Sequence, residues 1–452
     1  MNSQTNKDLM ISGPIYSKLV RFAIPVFFGA LFQQMYNAVD SLIVGNFLGS
    51  TSLAAVSSAG SLIFLIVGFF NGLSMGAGVV VSQYIGAEDD LGTEQAVHTK
   101  VALGLASAAF LTVFGILFTP VMLNWMGTPS DVLPESISYF RYYFAGSVGL
   151  VMYNTLVGIL QSAGDSRHPL VYLIVSSLVN VGLDLLFIGV FGWGVWSAAL
   201  ATSISQVLSA VLCLIRLVRI KTNYRIVFRK IRIHVDMLKK ILRYGIPSGV
   251  QNSVMSLSNV VIQSYVNSFG SVAMAGVGAF SKLEGFGGLP VQSFAMAVTT
   301  FVGQNMGAKE YGRVRKAIIF SMITAPLLSE LIGIACYIFA PTLVALFDPN
   351  PNAVAYGVAR ARTVMPFFVL CALTHTTAAA LRGLGKPTVP MFSTLFFWCV
   401  GRISLLWLSN LVGMHTIEVT YWVYPITWGL TAVFLTIYYL RLDVTKLPVQ
   451  SR

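Results

Sequence analysis

Residues 21–47 read RFAIPVFFGALFQQMYNAVDSLIVGNF, and residues 243–269 read RYGIPSGVQNSVMSLSNVVIQSYVNSF. Arg21…Ile24-Pro25 in the first answers Arg243…Ile246-Pro247 in the second. A transmembrane helix takes about 20 residues. Uncharged runs of this length must be helical in lipid, because backbone polar groups there have to bond internally. The sequence therefore opens a membrane span twice, in the same way, half a chain apart.

The composition agrees. Of 452 residues, 56% are hydrophobic and 10% charged, whereas a soluble domain carries roughly 25% charged residues. That excludes a soluble globular chain, and the apolar content excludes a disordered one. Nothing alternates with period two over ten-residue blocks, so a porin-type barrel is excluded. The expected fold class is an all-α polytopic membrane protein. Twelve apolar segments stand at about 18–46, 53–84, 95–124, 133–160, 168–190, 195–218, 243–268, 273–306, 316–346, 354–381, 388–411 and 417–440. The first eighteen residues hold no signal-peptide core, so the first span is expected to be retained.

An offset of 221 recovers matching residues through most of the chain. Gly49-Ser50 maps to Gly270-Ser271, Gln83, Gly86 and Ala87 to Gln304, Gly307 and Ala308, and Pro120 to Pro341. Arg141 maps to Arg362, and Leu160, Gly164 and Pro169 map to Leu381, Gly385 and Pro390. Two six-helix bundles follow, 1–215 and 243–452, related by a pseudo-twofold axis along the membrane normal. The segment 216–242 joins them as a basic cytoplasmic linker, and ten of the 29 Lys and Arg fall between Arg216 and Arg243. The net charge of +12 is thus a positive-inside signal rather than a nucleic-acid-binding one. Connections after the first, fifth, seventh and eleventh segments contain no Lys or Arg, while the even ones hold Arg167, Lys309, Arg313, Arg382 and Lys386. Both termini are expected in the cytoplasm, with Lys7 at one end and Arg452 at the other; the acidic stretch from Glu88 to Glu94 is an exception to the pattern. Duplicated bundles around a central cleft suit an alternating-access transporter.

Ionisable residues inside spans are expensive and by default functional. Gln33, Tyr36, Asn37 and Asp40 share one helical face. Asp184 follows Asn180 and Ser176 by successive turns in the fifth segment. The repeat puts Val261 or Ile262 opposite Asp40 and Leu405 opposite Asp184, so symmetry does not require either acid. Such a pair titrates as a unit and suits proton uptake and release. Alternatively, the carboxylates with neutral oxygens of Asn180 and Thr202 suit a hard cation such as Na⁺. In the second half Glu284, Glu330, His375 and Arg402 lie within spans, and Pro290 is expected to break the eighth. Pro25 permits a bend in the first.

The four cysteines stand singly in apolar runs, the five histidines are scattered, and no G-x-x-x-x-G-K-[ST] or H-E-x-x-H occurs. No enzyme and no cofactor is expected. Gly72 and Gly76 have helix-packing spacing.

The run Gln33-Gln34-Met35-Tyr36-Asn37-Ala38-Val39-Asp40-Ser41…Val44-Gly45, with Gly49 and Leu53-Ala54-Ala55-Val56 after it, resembles helix 1 and the start of helix 2 of MATE (multidrug and toxic compound extrusion) transporters. Leu381-Arg382-Gly383-Leu384-Gly385-Lys386-Pro387 and Leu160-Gln161-Ser162-Ala163-Gly164-Asp165 resemble the family's turn after the fourth span of each half. The resemblance implies a twelve-helix, two-lobe exporter of organic cations, driven by H⁺ or Na⁺ and working as a monomer in the plasma membrane. Carried over by position, Asp40 and Asp184 match the N-lobe acids of the DinF-type branch, with Tyr36, Asn154, Asn180 and Thr202 around them, and Pro25 matches its bending proline. Gln33, Asn37, Glu284, His375 and Arg402 are further cavity candidates. A lipid-linked oligosaccharide flippase of the same superfamily, with more spans and a more cationic cavity, and a channel are the alternatives.

Overall fold

The computed structural model describes residues 10–125, 128, 130 and 132–447, with the side chains of 50, 51, 53, 54 and 57–66 left aside. Lys7 and Arg452 lie outside these residues. The described chain is helical apart from its connections, the longest of which is 220–234. In the first half α1 is Ile15–Leu48, α2 Ser50–Gly86, α3 Asp90–Trp125, α4 Leu133–Ala145, α5 Ser147–Ser162, α6 Arg167–Asp184 and α7 Trp196–Arg219. In the second half α8 is Val235–Asn267, α9 Ser271–Gly307, α10 Tyr311–Ile338, α11 Ala340–Ala345, α12 Pro351–Val364 and α13 Phe368–Gly383. Then come α14 Thr388–Ser393, α15 Arg402–Leu411 and α16 Glu418–Arg441.

Among the described residues nine helical stretches are long and apolar enough to cross a bilayer, and ten if α4 and α5, bent by 45° at Gly146, count as one. The chain is an all-α polytopic membrane protein. Leu178, Leu331, Trp407 and Leu430 are exposed, as lipid-facing side chains are.

Backbone conformation repeats with the sequence. Positive φ recurs at an offset of 221 in four pairs: Gly49 (89°) and Gly270 (95°), Glu88 (53°) and Lys309 (59°), Gly164 (92°) and Gly385 (82°), Gly192 (66°) and Gly413 (76°). At Glu88 and Lys309 a side chain tolerates the left-handed region, which is uncommon outside glycine, so the turn itself is what both copies keep. Each half also carries a π-helical stretch, Leu185–Val190 directly after α6 and Thr394–Gly401 directly before α15.

The chain forms two compact units, Phe28–Gly249 and Met10–Phe27 with Val250–Val449, apart from the extreme termini. Their boundaries fall inside α1 just beyond Pro25 and inside α8 just beyond Pro247. In the first unit Val80, Val97, Leu156, Ile159 and Leu217 pack together with Ile241 of α8. In the second, Leu19 and Phe22 of α1 pack with Val298, Phe301, Ile318 and Leu381. Arg313 fastens the segment before α1 there, donating to the carbonyls of Met10 (3.0 Å) and Gly13 (2.8 Å).

The acidic exception near residue 90 has a structural partner. Glu94 accepts from Lys230 Nζ at 2.8 Å and Asp90 from Asn223 at 2.9 Å, so the start of α3 holds the basic linker. α9 runs unbroken through Pro290, contrary to the expected break. Burial on either side, at Val277 and Phe280 before it and at Leu289, Val291 and Ser293 around it, holds it helical despite one missing backbone bond, as packed membrane helices allow.

Gly72 and Gly76 do serve packing. A Cβ on Gly72 would come within 2.5 Å of the Gly249 backbone, and one on Gly76 would strike Gly245. Two small-residue faces therefore bring α2 and α8 backbone to backbone. Gly76→Ala should cost about 1–3 kcal/mol through overpacking, read as a lower unfolding temperature in detergent. Gly278→Ala, where an added Cβ meets nothing within 4 Å, is the control. Equal temperatures for the two variants would contradict the close crossing.

Candidate functional site

The first-half candidates assemble within the first unit. α1 brings Tyr36 and Asp40, α6 brings Ser176, Ser177, Asn180 and Asp184, and α7 brings Thr202, Ser205 and Gln206. Helical spacing accounts for this: Asn180 and Asp184 are one turn apart, as are Thr202 and Gln206, so each pair shares a face. Asp184 is the last residue of α6 before its π-helical stretch, a local irregularity frequent at functional sites.

Asp184 is 0% exposed, Asn180 1% and Asp40 8%. A cavity of about 10 Å³ lies among Tyr36, Ser176, Asn180, Thr202 and Gln206. Ile43 and Val44 of α1 pack with Phe140, Phe144 and Ile188 in an apolar cluster of the same unit. Two weak bonds cross the site, Gln206 Nε2 donating to Tyr36 Oη and Asn180 Nδ2 to Thr202 Oγ1, both at 3.4 Å.

The oxygens are less well served. Both oxygens of Asp184, Oδ1 of Asp40, Oδ1 of Asn180 and Oε1 of Gln206 are buried without a hydrogen-bond partner. The two carboxyl groups are near enough for each to influence the other. Two ionised carboxylates are acceptors only, so no bond joins them until one carries a proton or a cation lies between them. The hydroxyls of Ser177 and Ser205, also in this lining, are buried without a partner as well.

Of the other first-half candidates, Gln33 is half-buried and Asn37 exposed on α1. Asn154 lines a separate hollow with Asn71 and Lys100. Pro25 is buried inside α1, which continues helically through it. Sequence reading missed Gln206, although its position one turn beyond Thr202 was a signal. It also missed Lys100, which looks like a helix-end lysine in the sequence yet is 2% exposed.

The second-half candidates form a chain of contacts in the second unit. Glu284 accepts from Arg360 Nη2 at 3.4 Å. The Arg360 guanidinium lies 4.9 Å over Tyr424, and Arg402 lies 4.4 Å over that same ring and 4.5 Å over Trp398. His375 meets Trp398 edge-on at 5.7 Å. Arg402, 1% exposed, also donates to Thr427 (3.2 Å), Ser258 and Asn259 (both 3.3 Å). Arg360 went unrecognised in the sequence, where it is one of two alternating arginines at a helix end. Glu330 accepts the Val369 amide at 2.8 Å, serving the backbone where α12 gives way to α13. Among the described residues no three His, Cys, Asp or Glu side chains converge as a metal cluster would.

Arg402→Lys keeps the charge but gives up planar stacking and forked donation. It should lower the unfolding temperature, at a cost of about 1–2 kcal/mol. Unchanged thermal stability would show that these contacts carry no folding energy.

Comparison with known proteins gives consistent results. The MatE family model matches residues 25–186 and 247–408. A "Probable multidrug resistance protein YoeA" of Bacillus subtilis is 26% identical over 94% of this chain and 93% of its own. A "Probable multidrug resistance protein YpnP" of the same organism is 27% identical over 85% and 86%. A "MOP superfamily transporter from Pyrococcus furiosus" superposes with a TM-score of 0.91 at 24% identity, over 98% of this chain and 99% of that one. A structure described as "MATE in the bent conformation" superposes at 0.90 and 24% identity, over 99% of each chain.

Proposed function

The chain belongs to the MatE family, and from that premise we propose that it is a secondary active multidrug exporter. It exchanges amphipathic organic cations for H⁺ or Na⁺ by alternating access. Membership implies transport rather than catalysis, and the multidrug descriptions of its relatives support the substrate class. Thirty Phe, eighteen Tyr and sixteen Met can furnish adaptable apolar and cation–π walls.

One observation carries the coupling: the buried cluster of Asp40, Asp184, Asn180 and Gln206 oxygens that lack hydrogen-bond partners. A proton taken up there would turn two repelling acceptors into a hydrogen-bonded pair. A Na⁺ ion would meet the same need with Asp40, Asp184 and Asn180 as oxygen ligands and Thr202 beside them. The absence of a matching acid in the second half, where Leu405 stands opposite Asp184, supports coupling through the first half, as in the DinF-type branch.

Twelve spans complete this reading, with α2 and α8, 37 and 33 residues long, added to the ten. The duplicated halves, 1–215 and 243–452, would then form the two lobes of a monomer in the plasma membrane. Loop charges support cytoplasmic termini.

Ion uptake at Asp40 in the outward-open state alters the bend of α1 near Pro25, reshapes the first-half cavity and releases the drug. Pro25 has no N–H for the carbonyl one turn earlier, which lowers the cost of bending there. One charge moving inward gains about 2.3 kcal/mol per 100 mV, and a tenfold ion gradient adds about 1.4 kcal/mol. Together they sustain roughly a few-hundred-fold drug gradient, less for a drug that carries charge against the potential.

Asp40→Asn and Asp184→Asn should each abolish ethidium efflux from proteoliposomes under an imposed pH or Na⁺ gradient, while leaving the unfolding temperature near that of the native protein. Normal coupled efflux by both variants would overturn the ion site. Efflux that continues with neither gradient imposed would point to a channel instead.

Pro25→Ala should slow turnover more than it weakens drug binding. Spin labels on either side of Pro25 should report different distances at acidic and alkaline pH, or with and without Na⁺. Distances unchanged under all four conditions would rule out the bending step even if Asp40 stayed essential.

A further inference from the structure

Lys100 stands apart from everything the ion site uses. It lies on α3, 2% exposed, and its ammonium nitrogen is buried without a hydrogen-bond partner. An ammonium carries three donors and accepts nothing, and a buried charge without a partner is among the costliest arrangements a protein can hold. A structural lysine at such a place would be expected to have an acid beside it. The cavity here, about 20 Å³, has none: its polar lining is Asn71, Ser74, Lys100, Ser107, Asn154 and Thr155.

Room has been kept for this side chain. A Cβ added to Gly158 would stand 2.5 Å from Lys100 Nζ and 3.6 Å from Ser74 Oγ, and one added to Gly78 would be 3.6 Å from Nζ. Two glycines on α5 and α2 thus leave space around the charged end. The acids of α3 are engaged elsewhere, Glu94 with Lys230 and Asp90 with Asn223. Asn71 is exposed, so the hollow is open on that side, and its volume holds about one water or one oxygen of a larger group.

We propose that the Lys100 pocket is a subsite for an anionic oxygen group, a carboxylate or phosphate, on a molecule the protein transports. The ammonium supplies the charge, and the amides of Asn71 and Asn154 with the hydroxyls of Ser74 and Thr155 supply neutral donors. A water could occupy the space but could not balance the charge. This rests on the exporter reading and deepens it: it assigns the side chain that would meet the acidic group of an amphoteric substrate. A lipid headgroup offers the same chemistry.

The test compares equilibrium binding of two dyes to the purified full-length protein in phosphatidylcholine nanodiscs, followed by fluorescence polarisation without any gradient. Rhodamine 110 bears a free carboxylate, and rhodamine 123 is its methyl ester. The native protein should bind rhodamine 110 about tenfold more tightly, the scale of a charge-assisted contact. Lys100→Met should remove that preference while leaving rhodamine 123 affinity unchanged. Benzoate should displace rhodamine 110, and not rhodamine 123, from the native protein, which keeps the test independent of whether the variant folds. Loss of the preference in phosphatidylglycerol nanodiscs, by the native protein alone, would identify lipid headgroups as a competing source of the same anion and support the subsite. Equal affinities for the two dyes in phosphatidylcholine, or no binding of rhodamine 110, would overturn it. Failure of the exporter reading would appear separately, as absence of gradient-driven rhodamine 123 efflux.

Discussion

A polar atom in the hydrocarbon core of a bilayer has no water to bond with, so the protein must satisfy it or leave it in deficit. Every part of this structure answers to that constraint. It makes the spans helical, because helices satisfy their own backbone. It explains why Glu330 reaches the Val369 amide where α12 and α13 separate. It also explains why Arg402 is surrounded by Trp398, Tyr424, Thr427, Ser258 and Asn259. Nη2 alone of that guanidinium is left without a partner, so the charge belongs to the architecture.

Two of the places where it is not met have opposite character. Around Asp40 and Asp184 carboxyl and amide oxygens lack hydrogen-bond partners, and around Lys100 an ammonium lacks an acceptor. The first deficit can be filled by a cation as small as a proton. The second calls for an acceptor, and one bearing negative charge would also balance the ammonium. Both lie in the first unit, while Glu284 and Arg360 in the second unit pair with each other.

Duplication supplies the scaffold on which this asymmetry is built. Four pairs of left-handed turns recur at one offset, and both halves carry a π-helical stretch in their fifth span. Turn geometry tolerates little change, since a residue forced out of a positive φ would redirect the span after it. Side chains inside the spans are freer, and there the halves diverge, with Asp184 in one and Leu405 in the other.

The sequence by itself determined the helical class, most segment boundaries, the repeat and the aspartates, because lipid imposes a run length and penalises charge so heavily that both leave marks in linear order. Gln33, Tyr36, Asn37 and Asp40 were legible as a stripe since 3.6-residue periodicity is local. Tertiary structure decided the rest. Whether Pro290 would break α9 depended on the neighbours that bury it, and whether the acidic run at Glu94 defied the loop-charge pattern depended on Lys230, far off in sequence. Arg402 reads in the sequence as an exposed cost and in the fold as a largely satisfied one, with Nε and Nη1 bonded and only Nη2 without a partner. Lys100 shows the reverse: ten residues from an acidic turn it reads as an ordinary helix-end lysine, and only the packing of α2 and α5 against α3 encloses its charge. Distance along the chain carries no record of which donors and acceptors will meet, and that meeting decides which buried charges hold the fold and which are left to bind.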